Sequence, residues 1–466
     1  MSSGCFTRLP LTTVSALLLA IGVFTVAPVA SKPPAASVTR GELRWLGRVT
    51  FGIDTATVAR YRLLGREKYL DEQLHPPRTP SQALDAAIAA LPVTQQTAQA
   101  RLAANRLEQQ RINTLPNEDD KQAARNALNQ AANQAIYETA KRQLMRALDS
   151  PSQLREQMTW FWMNHFSVFS GKANVRWTVA EYEEQVRAHA LGRFSDLVMA
   201  TATSPAMLEY LDNAQSAVGR INENYARELM ELHTLGVDGG YTQKDVTEVA
   251  RCFTGWTIDK PRAGGSFIFR PALHDLGPKV VLGHAIKAGG DQSDGERVLD
   301  ILAKHPSTAR FIASKLVRRF VSDTPPQALV DRATKRFRDT DGDLREVMRT
   351  ILTSPEFLSP DAVNAKMKTP FEFVASALRA TGADVQDALP LVRTMQQLGM
   401  PLYQCQPPTG YKDTADAWVN TGALVDRMNF AVRLSSRRLP GVTAVASGEA
   451  PDDLALKLGG PDFQRR

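Results

Sequence analysis

Residues 93–149 constrain the fold more than any other stretch of the chain. They are rich in Ala, Gln, Asn and Arg and poor in large apolar residues, with Pro116 as the only proline. Such residues lose little side-chain freedom in a helix, so both flanks of Pro116 are expected to be long helices, "TAQARLAANRLEQQRINTL" and "EDDKQAARNALNQAANQAIYETAKRQLMRAL". Asn117 suits the cap of the second, because its side-chain oxygen can accept from an orphan N–H of the first turn. The two should fold back on each other as an antiparallel hairpin, an arm of residues 93–149 carried by a larger body.

The body reads as helical too. Thr242 with Asp245 ("TQKD") and Ser293 with Glu296 ("SDGE") have the spacing of capping boxes ahead of apolar-periodic runs. "TARFIASKLVRRFV", "PQALVDRATKRF" and "LREVMRTILTSPEFL" follow at the intervals of packed helices. Strand signals are confined to "GSFIFRP" and "KVVLG", expected to pair as at most one small β-hairpin. The fold class is therefore mainly α: a multi-helix globular domain with a helical-hairpin arm. No fixed-period repeat and no dinucleotide, phosphate-loop, zinc-protease or serine-hydrolase motif is present.

The N-terminus departs from this pattern. Residues 1–31 carry Arg8 as their only basic residue, then the apolar run "VSALLLAIGVFTVA", then small residues, the layout of a secretory signal peptide. The run is shorter than the ~20 residues of a membrane span, so cleavage near Ser31 and no stable span afterwards are expected. Residues 32–42 read as a linker, 43–440 as one domain, and 441–466 as a flexible tail. Export to the periplasm or beyond leaves Cys252 and Cys405, which can pair or stay free, and which are too few for a disulfide scaffold. With 23% charged residues and a net charge of +7 spread over 466 residues, no basic block marks a nucleic-acid partner.

Several segments together resemble one bacterial family, the domain of unknown function 1800 family. They are "RVTFGIDTATVARYRLLGREKYLDEQL", "WFWMNHFSV", "NENYARELMELHTLGVDGGYTQKDVTEVARCFTGWTI", "HDLGPKVVLG", "HPSTARFIASKLVRRFV", "MKTPFEFVASALRATG" and "GMPLYQCQPPTGYKDTADAWVNTGALVDRMNFA". The resemblance spans residues 43–434. It implies an exported, mainly helical protein with no established reaction. It also implies a gene neighbourhood shared with an exported phosphatase- or sulfatase-like protein, a candidate partner. Where the family usually shows "HDPG", this chain reads His274-Asp275-Leu276-Gly277.

Four places are candidates for chemistry. On an unbroken helix Asn224, Glu228 and Glu231 share one face, while His233 points elsewhere; the bland reading of that face is a wet helix surface. The helix should stop near Gly236. Asn164 and His165 end the apolar run "WFWMNHFSV", where a histidine is either a hydrogen-bonded core residue or a desolvated proton carrier. His274, Asp275 and Lys279 occupy the loop "HDLGPK", which suits a metal ligand set, a polarised pair or an ordinary turn. Tyr411, Trp418 and Asn420 follow Pro407-Pro408, as a sugar-stacking platform or as a seal over the core.

The expected function is a hydrolase-like enzyme acting on an extracellular polymer or glycan. Glu228, Glu231, His165 and Asp275 are its candidate catalytic residues, since glycoside cleavage needs two carboxyl groups with separated pKa values. Asn164, Asn224, His274, Lys279, Tyr411, Trp418 and Asn420 are its candidate substrate contacts. A divalent metal is compatible with this set but not required by it. The alternative is a non-catalytic binding or assembly partner of the exported phosphatase/sulfatase-like protein, docking through the arm.

Overall fold

Among the described residues helix begins almost at once. In the computed structural model, which describes residues 38–77, 81–259, 265–445 and 448–466, Thr39 and Glu42 form a reciprocal capping box. The helix Arg40–Val49 that follows buries Trp45, Leu46, Arg48 and Val49. It starts inside the segment expected to be a linker (32–42). The signal-peptide reading of residues 1–31 lies outside the described residues. Among the described residues there are 22 α-helices, and no helix is long and apolar enough to cross a membrane.

Pro116 divides the alanine-rich stretch as expected. Helices Ala98–Asn113 and Glu118–Asp149 flank it, and the Asn117 side chain accepts from the Asp120 N–H. The arm is not peripheral along its whole length, however. Its outer part packs around a small cluster of Leu91, Val93, Leu102, Ala132, Ala135, Trp177 and Ala180. The last turns of Glu118–Asp149 place Ala140, Leu144 and Ala147 in the main core. There Arg146 pairs with Glu183 at 3.0 Å and Glu184 at 2.6 Å, and Tyr403 donates to Glu183 at 2.7 Å. A 32-residue helix rising 1.5 Å per residue spans more than one packing layer, so its two ends serve different neighbours.

The main core is built from helices Gln153–His165, Val175–His189, Ser293–Lys304, Pro306–Phe320 and Pro370–Ala380, with Val38–Arg466 forming one compact unit. The Thr242–Asp245 capping box forms as expected. The Ser293 box does not: Ser293 is already inside the helix, and its N–H is taken by the Asp291 carboxylate at 2.8 Å.

Strand pairing also differs from expectation. Phe267–Phe269 pairs antiparallel with Trp256–Ile258, and Lys279–Val281 with His284–Ile286, so the two expected strands belong to separate hairpins. Each finds its partner close by in sequence, where loop closure costs least. A third two-stranded ladder joins Asp384–Val385 to Val442–Thr443.

That ladder already shows that 441–466 is no flexible tail. Helix Pro451–Gly459 packs on Thr421–Ser435, and Arg465 bridges to Met367. Arg466 is only 6% exposed and pairs with Glu372 at 2.8 Å. The segment has few large apolar residues, and what docks it is mainly polar: buried guanidinium groups that require carboxylate and carbonyl partners.

Candidate functional site

The candidate residues fall into three separate clusters. The first surrounds a cavity of about 350 Å³ between helices Gln153–His165 and Pro306–Phe320 and the loop 400–414. Trp160 and Phe161 supply apolar wall. Asn164 holds the loop in place: its side-chain oxygen accepts from the Tyr411 N–H at 2.7 Å, and its amide donates to the Tyr411 carbonyl at 2.8 Å. Gly410 makes this approach possible, with φ +71° and room for no Cβ, which would meet the Asn164 carbonyl oxygen at 2.1 Å. The Tyr411 hydroxyl donates to Pro401 O at 2.6 Å, and Trp418 lies 6.3 Å from the Tyr411 ring, donating to Lys412 O. Asn420 caps helix Thr421–Ser435. Asn164, Tyr411 and Trp418 therefore order the loop, Asn420 starts the helix after it, and Asn164 and Tyr411 also line the cavity.

His165 borders the same cavity and is almost wholly buried. Its Nε2 faces the His233 carbonyl oxygen at 3.0 Å; a carbonyl only accepts, so Nε2 carries the proton. Nδ1 is left with a buried lone pair and no hydrogen-bond partner among the described residues. Burial, then the nearby charge of Lys315, hold the His165 pKa well below the usual imidazole value. The same two causes push His233 down to about 3. Both rings, 6.0 Å apart, are neutral near pH 7.

Two residues not singled out in the sequence dominate the cavity's charge. Lys315 and Arg318 line it, and among the described residues neither has a hydrogen bond or an ion pair; Lys315 rests 5.3 Å over the Phe311 ring. Burial pushes the Lys315 ammonium down to about 8, with Asp413 opposing and Arg318 reinforcing that shift. Their neighbour Arg319 is engaged through both terminal nitrogens, with Glu372 at 2.9 Å, Asp413 at 3.2 Å and the Gln157 side chain at 2.8 Å. The signal was present in "TARFIASKLVRRFV": Lys315, Arg318 and Arg319 sit three and four residues apart on one face of the helix.

The second cluster lies on the stretch Asn224–Thr234. It is not the unbroken α-helix that its side-chain arrangement was first read from. Asn224–Glu228 is α-helical, but Leu229–Thr234 is π-helical. The wider turn is closed by Leu235 N–H to Met230 O at 2.8 Å and by the Thr234 hydroxyl to Leu229 O at 2.7 Å. Such π turns occur frequently at functional sites. Burial, then the charge of Glu231, raise the pKa of Glu228. His233 is buried, and its carbonyl oxygen is the one that meets His165 Nε2. Asn224 stays at the exposed start of the helix, its amide 3.3 Å from Leu211 O.

The third cluster is a closed ionic network. Asp275 receives both arms of Arg251 at 2.9 and 3.0 Å and the Gly277 N–H at 2.8 Å, and the Arg251 hydrogen bonds hold its carboxyl below the usual range. Asp294 accepts from Lys279 at 2.8 Å and lies 3.2 Å from His274 Nε2, while His274 Nδ1 faces Thr254 O at 2.7 Å. His274 and Lys279 are buried here. Among the described residues no three His, Cys, Asp or Glu side chains are arranged to hold a metal ion, and Cys252 and Cys405 are free thiols. The four proposed catalytic residues are thus distributed: His165 at the cavity, Glu228 at the end of the α-helical turn, Glu231 on the π-helical stretch that follows it, and Asp275 in the Arg251 network. Neither glutamate is among the residues lining the cavity.

Set against known proteins, residues 44–465 match the model of a family described as a protein of unknown function (DUF1800). No curated protein and no solved structure matches the chain.

Proposed function

The chain belongs to the DUF1800 family, and we propose that it acts outside the cytoplasm on an anionic unit of an extracellular polymer or glycan, bound in the Lys315 cavity. One observation carries this reading: Lys315 and Arg318 line a cavity with aromatic walls and, among the described residues, have no carboxylate or carbonyl partner of their own. A sulfate, phosphate or uronate group would supply the missing acceptors, and Trp160, Phe161 and Tyr411 offer apolar surface to a sugar ring. The volume, about 350 Å³, falls within the ~300–1,000 Å³ typical of small-ligand sites.

For the hydrolase-like reaction, Glu228 is the proton donor in this proposal, since burial and Glu231 favour its protonated form; as it stands outside the cavity lining, it acts on a part of the polymer that extends beyond the bound anionic unit. Glu231 is the partnering base. His165 positions the π-helical stretch through the His233 carbonyl and is not itself the acid or base, because its unpaired Nδ1 is sealed from solvent. A second reading, a non-catalytic binding partner of an exported phosphatase/sulfatase-like protein, is favoured by one fact: the glutamate pair does not line the cavity.

Calorimetric titration with a sulfated or uronate-containing oligosaccharide and its neutral counterpart tests the binding. The charged ligand should bind at pH 6.5 and weaken by about tenfold at pH 9.5, where Lys315 has lost its proton. The sign follows from the lowered lysine pKa, because the binding cation disappears as pH rises through about 8. Lys315→Met should abolish the preference for charge. Equal binding of the neutral ligand would end the proposal. Turnover lost in Glu228→Gln with binding retained supports the enzyme; binding without any turnover in wild type supports the partner reading.

A further inference from the structure

A second cavity, of about 360 Å³, shares no lining residue with the first. It lies against the first helix, Arg40–Val49, where Leu43 and Gly47 face Ile53, Val363 and Phe463 from three other parts of the chain. The walls are chiefly hydrocarbon. The charges around them are almost all of one sign: Arg40, Arg44, Arg48, Lys368, Arg465 and Arg466 line the cavity, against Asp462 alone.

Most of these cations are accounted for. Arg48 donates to Phe357 O and Phe320 O, and Arg466 pairs with Glu372. Arg40, Arg44 and Arg465 are exposed at the mouth, free to hydrate. Lys368 is different. It is 8% exposed, it lies on the cavity wall, and among the described residues its ammonium has no hydrogen-bond acceptor and no ion pair. Its nearest partner is the face of Phe463, with Nζ 3.8 Å from the ring centroid. A π-face satisfies one direction of an ammonium that has three donors. Burial pushes its pKa down to about 7, with Glu372 opposing and Arg466 and Arg427 reinforcing the shift. An anion entering the cavity would stabilise the charged form.

We propose that this cavity binds an anionic amphiphile, an aliphatic tail carrying a carboxylate or phosphate head, with the head on Lys368 and the tail along Leu43, Ile53, Val363 and Phe463. The chemistry of the lining selects this class. A bare inorganic anion leaves the hydrocarbon walls wet, and a neutral lipid leaves Lys368 without an acceptor. The arginines at the mouth attract the head group before it enters.

The test is isothermal titration of the full chain with decanoate, decyl phosphate and decanol, each below its aggregation concentration. Stoichiometric binding of at least one of the two anions, about tenfold or more tighter than decanol, is expected for a charge-assisted contact. The better of the two anions identifies the head group. Lys368→Met should lower anion affinity about tenfold while leaving decanol unchanged. Gly47→Leu is the second variant and alters no charge. Gly47 lies on a helix and lines the cavity, and a Cβ there would stand 3.7 Å from its nearest foreign atom, Ile53 Cδ1, so the β-carbon meets no clash and the rest of a leucine would project into the cavity. It should abolish binding of all three ligands at an unchanged melting temperature. The proposal is overturned if wild type binds none of them, if decanol binds as tightly as the anions, or if Gly47→Leu leaves decanoate binding intact.

Discussion

Glu372 shows how much one buried carboxylate can hold together. Arg319 and Arg466 approach it at 2.9 and 2.8 Å from parts of the chain distant in sequence, and its capping-box contacts to Thr369 add two more bonds. Despite burial, the two guanidiniums pull its pKa to about 2, from an ordinary value of 4.5. A depressed carboxylate stabilises the fold above its unfolded pKa, so that contribution should fade as pH falls from 4.5 toward 2. Glu372→Gln would leave two buried guanidiniums short of a counter-charge, and a loss of about 3–5 kcal/mol in urea unfolding at pH 7 is expected. Glu228 has the opposite sign. Burial and Glu231 raise its pKa, so its ionised form is mildly unfavourable in the folded state at pH 7. Glu228→Gln should therefore raise the melting temperature by roughly 1–2 °C at pH 7 and make no difference below pH 4, where wild type is protonated as well. A destabilised Glu228→Gln would show that the carboxylate has a structural partner. Asn164, Asp275 and Trp418, singled out from the sequence, each spend their polar atoms inside the protein: Asn164 and Trp418 on loop backbone, Asp275 on Arg251 and the Gly277 N–H. Sequence shows which side chains have hydrogen-bonding capacity; only the fold shows which of it is already used.

At the scale of elements, the long helix Glu118–Asp149 belongs to two layers at once. Its outer half, with Ala98–Asn113, packs on the satellite cluster around Leu102 and Trp177; its inner half carries Leu144 and Arg146 into the core. Removing residues 99–131 and closing the gap with a Gly/Ser linker should leave a cooperatively folding protein, measurable by circular dichroism through thermal unfolding. Removing 95–149 should not, because Glu183 would then be buried without Arg142 and Arg146. Equal behaviour of the two deletions would show that the halves do not differ. The π-helical stretch is the other lesson at this scale. "NENYARELMELHTLG" has sound helical periodicity and its stop at Gly236 was legible, with φ +84° as a left-handed terminator requires. The extra residue per turn was not, because a π turn has no composition of its own. It persists where packing compensates for the looser turn, here through the Thr234 hydroxyl and the His165–His233 contact.

For the molecule as a whole, Val38–Arg466 forms one compact unit, and its C-terminal residues close it. Ending the chain at residue 440 would remove Arg466 from Glu372, Gln464 from Arg427 and Phe463 from Phe373. Scanning calorimetry should then show loss of the cooperative transition, whereas a flexible tail could be removed with no change in melting temperature. The sequence by itself determined the helical class, the break at Pro116, the Asn117 and Thr242 caps and the stop at Gly236. These are local matters, decided by backbone propensity and by side chains within a turn of the groups they cap. Tertiary structure alone decided that two hairpins form in place of one, that the final residues are core, that Glu228 and Glu231 lie outside the lining of the cavity His165 borders, and that Lys315 and Lys368 face cavities with no hydrogen-bond or ion-pair partner among the described residues. Those outcomes depend on which distant carboxylates, carbonyls and rings arrive beside a given charge, and burial makes that arrival decisive, since an ion removed from water must find its partners in the protein or in a ligand.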